Sequence, residues 1–346
     1  MSTTGTPASE GGITCSVCIA NYNGMDLIDA CLDSVRKQSG RNPLEIIVHD
    51  DASTDGSVAH IRDRHPDVRL IESEENVGFC VANNRMAAAA QGEYLLLLNN
   101  DATLLPDALA TLLAEARRLQ APAILSLPQY DANSGDLLDI GSLLDPFFNA
   151  VPNRDPRRQD VAMVAGACLW IPKHLWDELG GFPEWFGSIG EDLYLCCMAR
   201  LAGHPVRAPG TSGYRHGVGA SFGGGKVSGG RLATTFRRRA LSERNRTCVM
   251  AMTCPSPVVQ MLLPFHLLVL LLEGAVLTLL KWDPSYLTKI YLPVFRALLR
   301  QRGPLLEGRR ACMVQRRLGV AGFFSTFVGT PHKLKMLRRH GLPQLK

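Results

Sequence analysis

Four consecutive leucines, Leu95, Leu96, Leu97 and Leu98, run straight into Asn99-Asn100-Asp101. No polar residue alternates with them, so neither face of this strand is built for water. Such a strand belongs inside a parallel sheet that helices cover on both sides. The carboxylate at its end falls in the crevice beyond the strands' carboxyl ends, where open α/β sheets bind their ligands. Asp101 is therefore a candidate oxygen ligand for a hard divalent cation. Mg²⁺ in particular takes one or two carboxylates and completes its shell with substrate phosphates. By itself Asp101 is equally a turn residue, since Asn and Asp are frequent in turns.

The neighbouring segments repeat the design. Residues 13–20, 44–49, 68–72 and 94–98 read as strands, and 25–38, 57–64, 79–90 and 106–119 as the helices between and after them. In 25–38, Leu27, Ile28, Cys31, Leu32 and Val35 form one apolar stripe. Strands alternating with helices pair in parallel through right-handed crossovers. The expected class is α/β, a Rossmann-like, mostly parallel sheet flanked by helices. Farther on, 123–130 and 161–171 are strand-like, 131–159 is loop-rich, and 173–179 and 191–202 are helical, with Gly203 as a stop. The glycine-rich stretch 217–230 reads as a mobile loop able to close over a ligand.

With 346 residues, 46% hydrophobic and 20% charged, the chain can bury a large core and is not disordered. Its net charge of +5 conceals an asymmetry. Residues 281–346 carry 14 Lys and Arg against Asp283 and Glu307, a net +12, which leaves −7 for the first 280. A basic tail on an acidic body predicts an anionic membrane surface as partner. No zinc-finger or RNA-binding signature speaks for nucleic acid.

Residues 255–280 are apolar except for interruptions at Gln260, Pro264, His266 and Glu273. In 286–302, Leu287, Ile290, Tyr291, Val294, Phe295 and Leu298 oppose Lys289, Arg296 and Arg300. Both features predict helices lying in the bilayer interface, with a true span as the alternative. The ten cysteines have no zinc-ligand spacing and read as buried hydrophobes in a reducing compartment. Residues 1–12 are polar, a flexible N-terminus without a signal pattern. These features place the body, 13–235, in the cytoplasm, held peripherally at the inner face of the cell membrane by a helical, basic region, 236–346.

Five short motifs stand in order at the strand ends: Asn21-Tyr22-Asn23, the run from His49-Asp50-Asp51 to Thr54-Asp55-Gly56-Ser57, Asn76-Val77-Gly78-Phe79, Asn99-Asn100-Asp101 and Glu191-Asp192. With this set the chain resembles the family 2 glycosyltransferases of the GT-A fold over about 13–222. Within that family it is most similar to bacterial rhamnosyltransferase-like enzymes of cell-surface polysaccharide assembly. Arg244-Asn245-Arg246 and the apolar, basic tail add to the likeness.

The resemblance implies an inverting, metal-dependent transfer of a sugar from a nucleotide-sugar donor to a lipid-linked or oligosaccharide acceptor. It makes Asp192 of the Glu191-Asp192 pair the base for the acceptor hydroxyl. Asp101 and His216 become ligands for Mn²⁺ or Mg²⁺, with imidazole favouring Mn²⁺. Asp50 is assigned to the nucleobase, Ala20, Asn21 and Tyr22 to the wall of the same pocket, and Asn99 and Asn100 to ribose or phosphate. Asn76 and Gly78 complete the donor site. Two departures stand out: Asn99 replaces the first acid of an Asp-x-Asp motif, and Tyr194 replaces the last acid of Glu-Asp-x-Asp.

Arg237, Arg238, Arg239, Arg244 and Arg246 form a basic cluster suited to a diphosphate. A sugar nucleotidyltransferase, or an inactive homologue serving as a membrane-bound scaffold, are the competing readings. A dehydrogenase is disfavoured because no G-x-G-x-x-G follows the first strand.

Overall fold

Strand and helix alternate through the first hundred residues as β1 (Cys15–Asn21), α1 (Ile28–Arg36), β2 (Leu44–Asp50), α2 (Ser57–Arg64), β3 (Arg69–Glu72), α3 (Phe79–Ala89) and β4 (Tyr94–Asn99). The structure is a computed structural model that describes residues 12–40, 42–217, 224–228, 231–342 and 344–345. The expected N-terminal arm, apart from Gly12, lies outside the described residues. Leu95 to Leu98 are each at most 1% exposed. Leu95 and Leu97 pack with Cys18, Ile47 and Met86 on one face, and Leu96 and Leu98 with Val17, Ile19 and Leu32 on the other. Burying each such side chain contributes roughly 1.5–3 kcal/mol.

The chain continues through β5 (Ala102–Leu104), α4 (Ala108–Leu119), β6 (Ile124–Leu125), β7 (Gln129–Asp131), β8 (Leu137–Asp139), β9 (Ser142–Leu144), β10 (Ala150–Pro152), β11 (Cys168–Pro172), α5 (Lys173–Leu179), α6 (Glu191–Leu201), β12 (Val206–Arg207) and β13 (Tyr214–His216). The main sheet has the order β12-β6-β11-β4-β1-β2-β3. All its pairs are parallel except those of β11, which runs against both β4 and β6. The expected strand over 161–171 thus shortens to five residues and reverses. No crossover helix returns the chain to the starting edge here. Instead it enters β11 from the carboxyl end of β4, where Asn99 N–H donates to Ala167 O at 3.1 Å.

A second sheet, β5-β13-β7-β8, sits at that same end. In its register His216 lies opposite Ala102, one residue from Asp101. The glycine-rich stretch differs from expectation as well: β14 (Gly224–Ser228) and β15 (Arg231–Thr234) pair as antiparallel strands, while 218–223 and 229–230 lie outside the described residues.

The rest is helical: α7 (Phe236–Thr253), α8 (Val258–Lys281), a π-helical turn at Tyr286–Tyr291 leading into α9 (Leu292–Arg300), α10 (Arg302–Gln315), α11 (Val320–Phe324) and α12 (His332–His340), before β16 (Gln344–Leu345). The helix expected over 286–302 is therefore two-part, and α10 begins at Arg302. On α8, Val259, His266, Leu270, Gly274 and Leu277 are buried, while Met261, Phe265, Leu268, Leu272 and Leu279 are exposed. His266 Nε2 contacts Thr247 Oγ1 at 2.9 Å, and Glu273 accepts from Arg239 at 2.8 Å. One face of α8 is thereby fixed to α7 through polar groups.

Candidate active site

The ends of β1, β2 and β4 are knotted together by amides. Asn21, fully buried, donates through Nδ2 to Asp50 Oδ2 at 2.8 Å and to Ser57 Oγ at 3.1 Å, while its Oδ1 accepts from Asn100 Nδ2 at 2.9 Å. Asp50 also takes Ser53 N–H at 2.9 Å and Ser53 O–H at 2.7 Å. Its carboxylate is spent on these partners and does not line the cleft over these strand ends. The next residue, Asp51, though also buried, is the one that lines the cleft. It accepts Val77 N–H at 2.6 Å and Gly78 N–H at 2.9 Å and so holds the Asn76-Val77-Gly78 turn. Gly78 has φ +87°, and a Cβ there would meet Gly187 O at 3.2 Å.

One cleft of ≈ 1850 Å³ opens over these strand ends. Ala20, Asn21, Tyr22, Asn76, Gly78, Asn99, Asn100, Asp101, Glu191, Asp192 and His216 all line it, so every expected site residue except Asp50 converges there. The cleft also takes in Arg237, Arg238, Arg239, Arg244 and Arg246 of α7 and the α12 residues Lys333 and Leu337, which lie far away in sequence.

At its floor His216 Nε2 stands 3.0 Å from Asp101 Oδ1. Asn99 Oδ1 is a buried oxygen without a hydrogen-bond donor, and Asp101 Oδ1, also buried, has only the His216 ring nitrogen beside it. In an octahedral shell at about 2.0–2.1 Å, adjacent ligand atoms stand about 2.9 Å apart. The spacing of Asp101 Oδ1 and His216 Nε2, and the orphaned oxygen beside them, therefore fit a divalent cation. Asp101 and His216 would supply two ligands to such an ion and leave the rest of its shell to phosphate oxygens and water.

The acid pair starts α6. Asp192 accepts Gly166 N–H at 3.1 Å and Leu193 N–H at 2.7 Å. Glu191 is buried and its Oε2 has no partner. Burial raises both carboxyls above their ordinary range, and the charge of Asp192 raises Glu191 further; Arg238 pulls in the opposite direction on each. Two adjacent acids, one of them buried, with one cation near them titrate as a pair.

The backbone ahead of the pair is strained: Ile189 has φ +70° and Gly190 φ +91°. A β-branched residue at positive φ persists only where its surroundings over-determine it. Asn245, fully buried on α7, supplies that restraint with Nδ2 facing Phe186 O at 3.2 Å, Ser188 O at 3.0 Å and Ile189 O at 2.6 Å. A polar residue in the middle of a helix was the only sequence signal for this clamp.

A second group with metal-ligand chemistry lies outside the cleft and was not expected. His60 Nε2 and His65 Nε2 each stand 2.7 Å from Asp29 Oδ1. Arg36 Nη1 faces His65 Nδ1 at 3.0 Å. A guanidinium there makes Nδ1 an acceptor and leaves the proton on Nε2, so His65 serves Asp29 as a donor.

Residues 16–175 match the protein family described as Glycosyl transferase family 2. The succinoglycan biosynthesis protein ExoO of Rhizobium meliloti is 37% identical over 212 residues, covering 57% of this chain and 58% of that protein. The N-acetylglucosaminyl-diphospho-decaprenol L-rhamnosyltransferase of Mycobacterium tuberculosis is 25% identical over 183 residues, covering 44% and 60%. Among solved structures, GalNAc-T7 with UDP, GalNAc and Mn²⁺ superposes with a TM-score of 0.56 at 17% identity, covering 72% of this chain and 49% of that one. The chain spans less than two thirds of the length of the curated relatives it matches, from 18% to 60%. The likeness to the solved structure establishes the fold, a GT-A sheet flanked by helices with a helical C-terminal region.

Proposed function

The chain carries a glycosyl transferase family 2 domain, and from that premise we propose that it moves a sugar, with inversion, from a nucleoside-diphosphate donor to a lipid-linked saccharide at a membrane surface. The observation that carries this reading is the convergence of Asp101, His216, Glu191 and Asp192 on one cleft. The donor's nucleoside lies against Asn21, Tyr22, Asp51 and Asn76, with its diphosphate toward Asp101 and His216. A cation held there supplies positive charge to the departing diphosphate. Asp192 takes the proton of the acceptor hydroxyl as its oxygen bonds to the sugar's anomeric carbon. The bond from that carbon to the diphosphate breaks in the same displacement, and the electron pair leaves with phosphate. With no enzyme nucleophile between, the anomeric configuration inverts. Gly166 N–H and Leu193 N–H aim the Asp192 carboxylate, and Arg238 keeps the pair ionisable despite its burial.

Two features support a lipid-linked acceptor. The cleft runs from the acids past the α7 arginines to apolar Val269, Leu272, Val276, Leu277 and Leu337 of α8 and α12. A diphosphate among arginines with its hydrocarbon tail over leucines is the matching chemistry, and a relative of this chain bears a diphospho-decaprenol acceptor in its name. Mn²⁺ is the favoured ion, since imidazole is among the ligands and the superposing structure contains it.

Among the described residues one helix, α8, is long and apolar enough to cross a membrane. Its pinned face, with His266 on Thr247 and Glu273 paired to Arg239 and Lys333, favours an in-plane position with the opposite face in lipid. Leu268 and Leu279 are 52% and 69% exposed and do not line the cleft. Changing both to Glu is expected to cut partition onto anionic vesicles at least about tenfold, while turnover of a water-soluble acceptor stays unchanged. Unchanged co-sedimentation would rule this membrane face out.

The function itself is tested by screening nucleotide sugars for Mn²⁺-dependent release of nucleoside diphosphate. One or two donors are expected to react, and an acceptor extract of polyprenyl-diphosphate saccharides to accelerate the release. A protein folded and stable but inert toward every donor would favour the scaffold reading.

A further inference from the structure

His216 is held from both sides by amides, and the two holds conflict. Gln129 Nε2 faces its Nδ1 at 3.0 Å, and Asn99 Nδ2 faces its Nε2 at 3.3 Å. A neutral imidazole has one N–H and one bare nitrogen, so it can accept from only one of these donors; an imidazolium can accept from neither. Either the Gln129 amide turns over, or Nε2 carries the proton toward Asp101 Oδ1 at 3.0 Å and Asn99 Nδ2 is only a near neighbour. The choice decides where the ring's proton sits, and with it whether Nε2 is free beside Asp101 Oδ1.

Gln129 is itself tethered. Tyr214, 1% exposed, reaches Gln129 Oε1 with its hydroxyl at 3.1 Å. Tyr214 and Gln129 are register partners in the parallel pair of β13 and β7, and His216 is two residues beyond Tyr214 on the same strand. The spacing places ring, amide and phenol in a row, ending at the buried oxygens of Asp101 and Asn99. A phenol oxygen donates or accepts equally well, so Tyr214 can serve either orientation of the Gln129 amide without moving.

We infer that Gln129 is the positioning residue for His216: with its amide turned so that Oε1 accepts Nδ1–H, it locks the ring with a bare Nε2 directed at a divalent cation on Asp101, and Tyr214 steadies it by accepting from Gln129 Nε2. The alternative orientation puts the proton on Nε2, where Asp101 Oδ1 at 3.0 Å takes the hydrogen bond. The two states contain the same number of protons and differ only in which ring nitrogen bears one. A polar partner on the far nitrogen of a metal-binding histidine fixes both tautomer and ring angle, and its loss typically costs about 10–100-fold in metal affinity. The inference rests on the proposed cation role of Asp101 and His216, and extends it to two residues that touch neither donor nor acceptor.

The test uses the full chain with Mn²⁺ alone, in a His60→Gln/His65→Gln background so that imidazole signals report on His216. Free Mn²⁺ is counted by electron paramagnetic resonance, and nitrogen coupling is read from pulsed spectra. Gln129→Leu, which cannot accept from Nδ1–H, is expected to weaken Mn²⁺ binding about 10–100-fold and to lose the imidazole coupling. Gln129→Glu, which can only accept, is expected to restore both to at least the level of the background protein. Restoration by Glu also separates positioning from a general packing defect, because the charged variant is the harsher change for folding. If Gln129→Leu binds Mn²⁺ with unchanged affinity and unchanged nitrogen coupling while Asp101→Asn does not bind, Gln129 has no such role and the cation site stands. If Gln129→Glu is as impaired as Gln129→Leu, the inference is overturned too. If the background protein shows no saturable binding sensitive to Asp101→Asn, the cation reading falls, and this inference with it.

Discussion

Asp192→Asn is expected to lower kcat by about 10²–10⁴-fold while KM for the nucleotide sugar changes little. The amide keeps an oxygen for Gly166 N–H or Leu193 N–H, so α6 and the strained turn before it remain in place. What it loses is the ability to take a proton. The same residue sets the pH profile. Burial raises the Asp192 carboxyl above the ordinary aspartate value of 3.8, and it must be ionised to act as a base. The rate kcat/KM is therefore expected to climb with pH along an acid limb displaced above the normal aspartate range, with an apparent pKa belonging to the Glu191/Asp192 pair.

The sign for stability is the reverse of that for activity. A carboxyl raised on folding binds its proton more tightly in the native state, so its contribution is fully present below the unfolded value and is lost as pH rises through the folded one. Gain of activity and loss of stability over one pH window are expected together. Activity and thermal unfolding measured across that window check both. A kcat for Asp192→Asn within a factor of about three of wild type would remove this residue from the chemistry.

Asp101→Asn is expected to reduce kcat/KM by about 10²–10³-fold and to abolish the response to added Mn²⁺. The replacement is nearly isosteric, but its amide brings hydrogens to a place where Asn99 and His216 already crowd buried polar atoms. The neutral Asn99 in the position of a first acid makes the effect larger, since no second carboxylate of the motif can substitute. Titration of Mn²⁺ against initial rate in both proteins measures it. Equal Mn²⁺ dependence in the two would move the cation elsewhere.

The α/β class and the position of the crevice were legible because period and burial are local properties: Leu95 to Leu98 show two buried faces in four letters. The place of Asp101 and Asp192 in the cleft was legible because their motifs end strands or begin helices. Which of Asp50 and Asp51 lines the cleft was not. Successive side chains of a strand point to opposite sides, and nothing in an Asp-Asp pair says which of them the last turn of chain directs inward. The reversal of β11 escaped for a similar reason, since an apolar five-residue run reads alike in either direction.

Residues joined across long separations were hidden altogether. Gln129 meets His216 across 87 residues, and Asn245 clamps Ile189 across 56. Lys333 reaches Glu243 and Glu273, both at 2.7 Å, and so brings one residue of the basic tail to the wall of the cleft.

In the proposed reaction, distant acids and a histidine meet at one sheet edge to hold a cation and the diphosphate of an activated sugar. The most direct measurement is the anomalous diffraction of Mn²⁺ in crystals grown with a nucleoside diphosphate. A peak within bonding distance of both Asp101 and His216, bridged to phosphate oxygens, is the predicted result. A peak confined to Asp29, His60 and His65, or a nucleotide bound away from Asn21, Asp51 and Asn99, would contradict it.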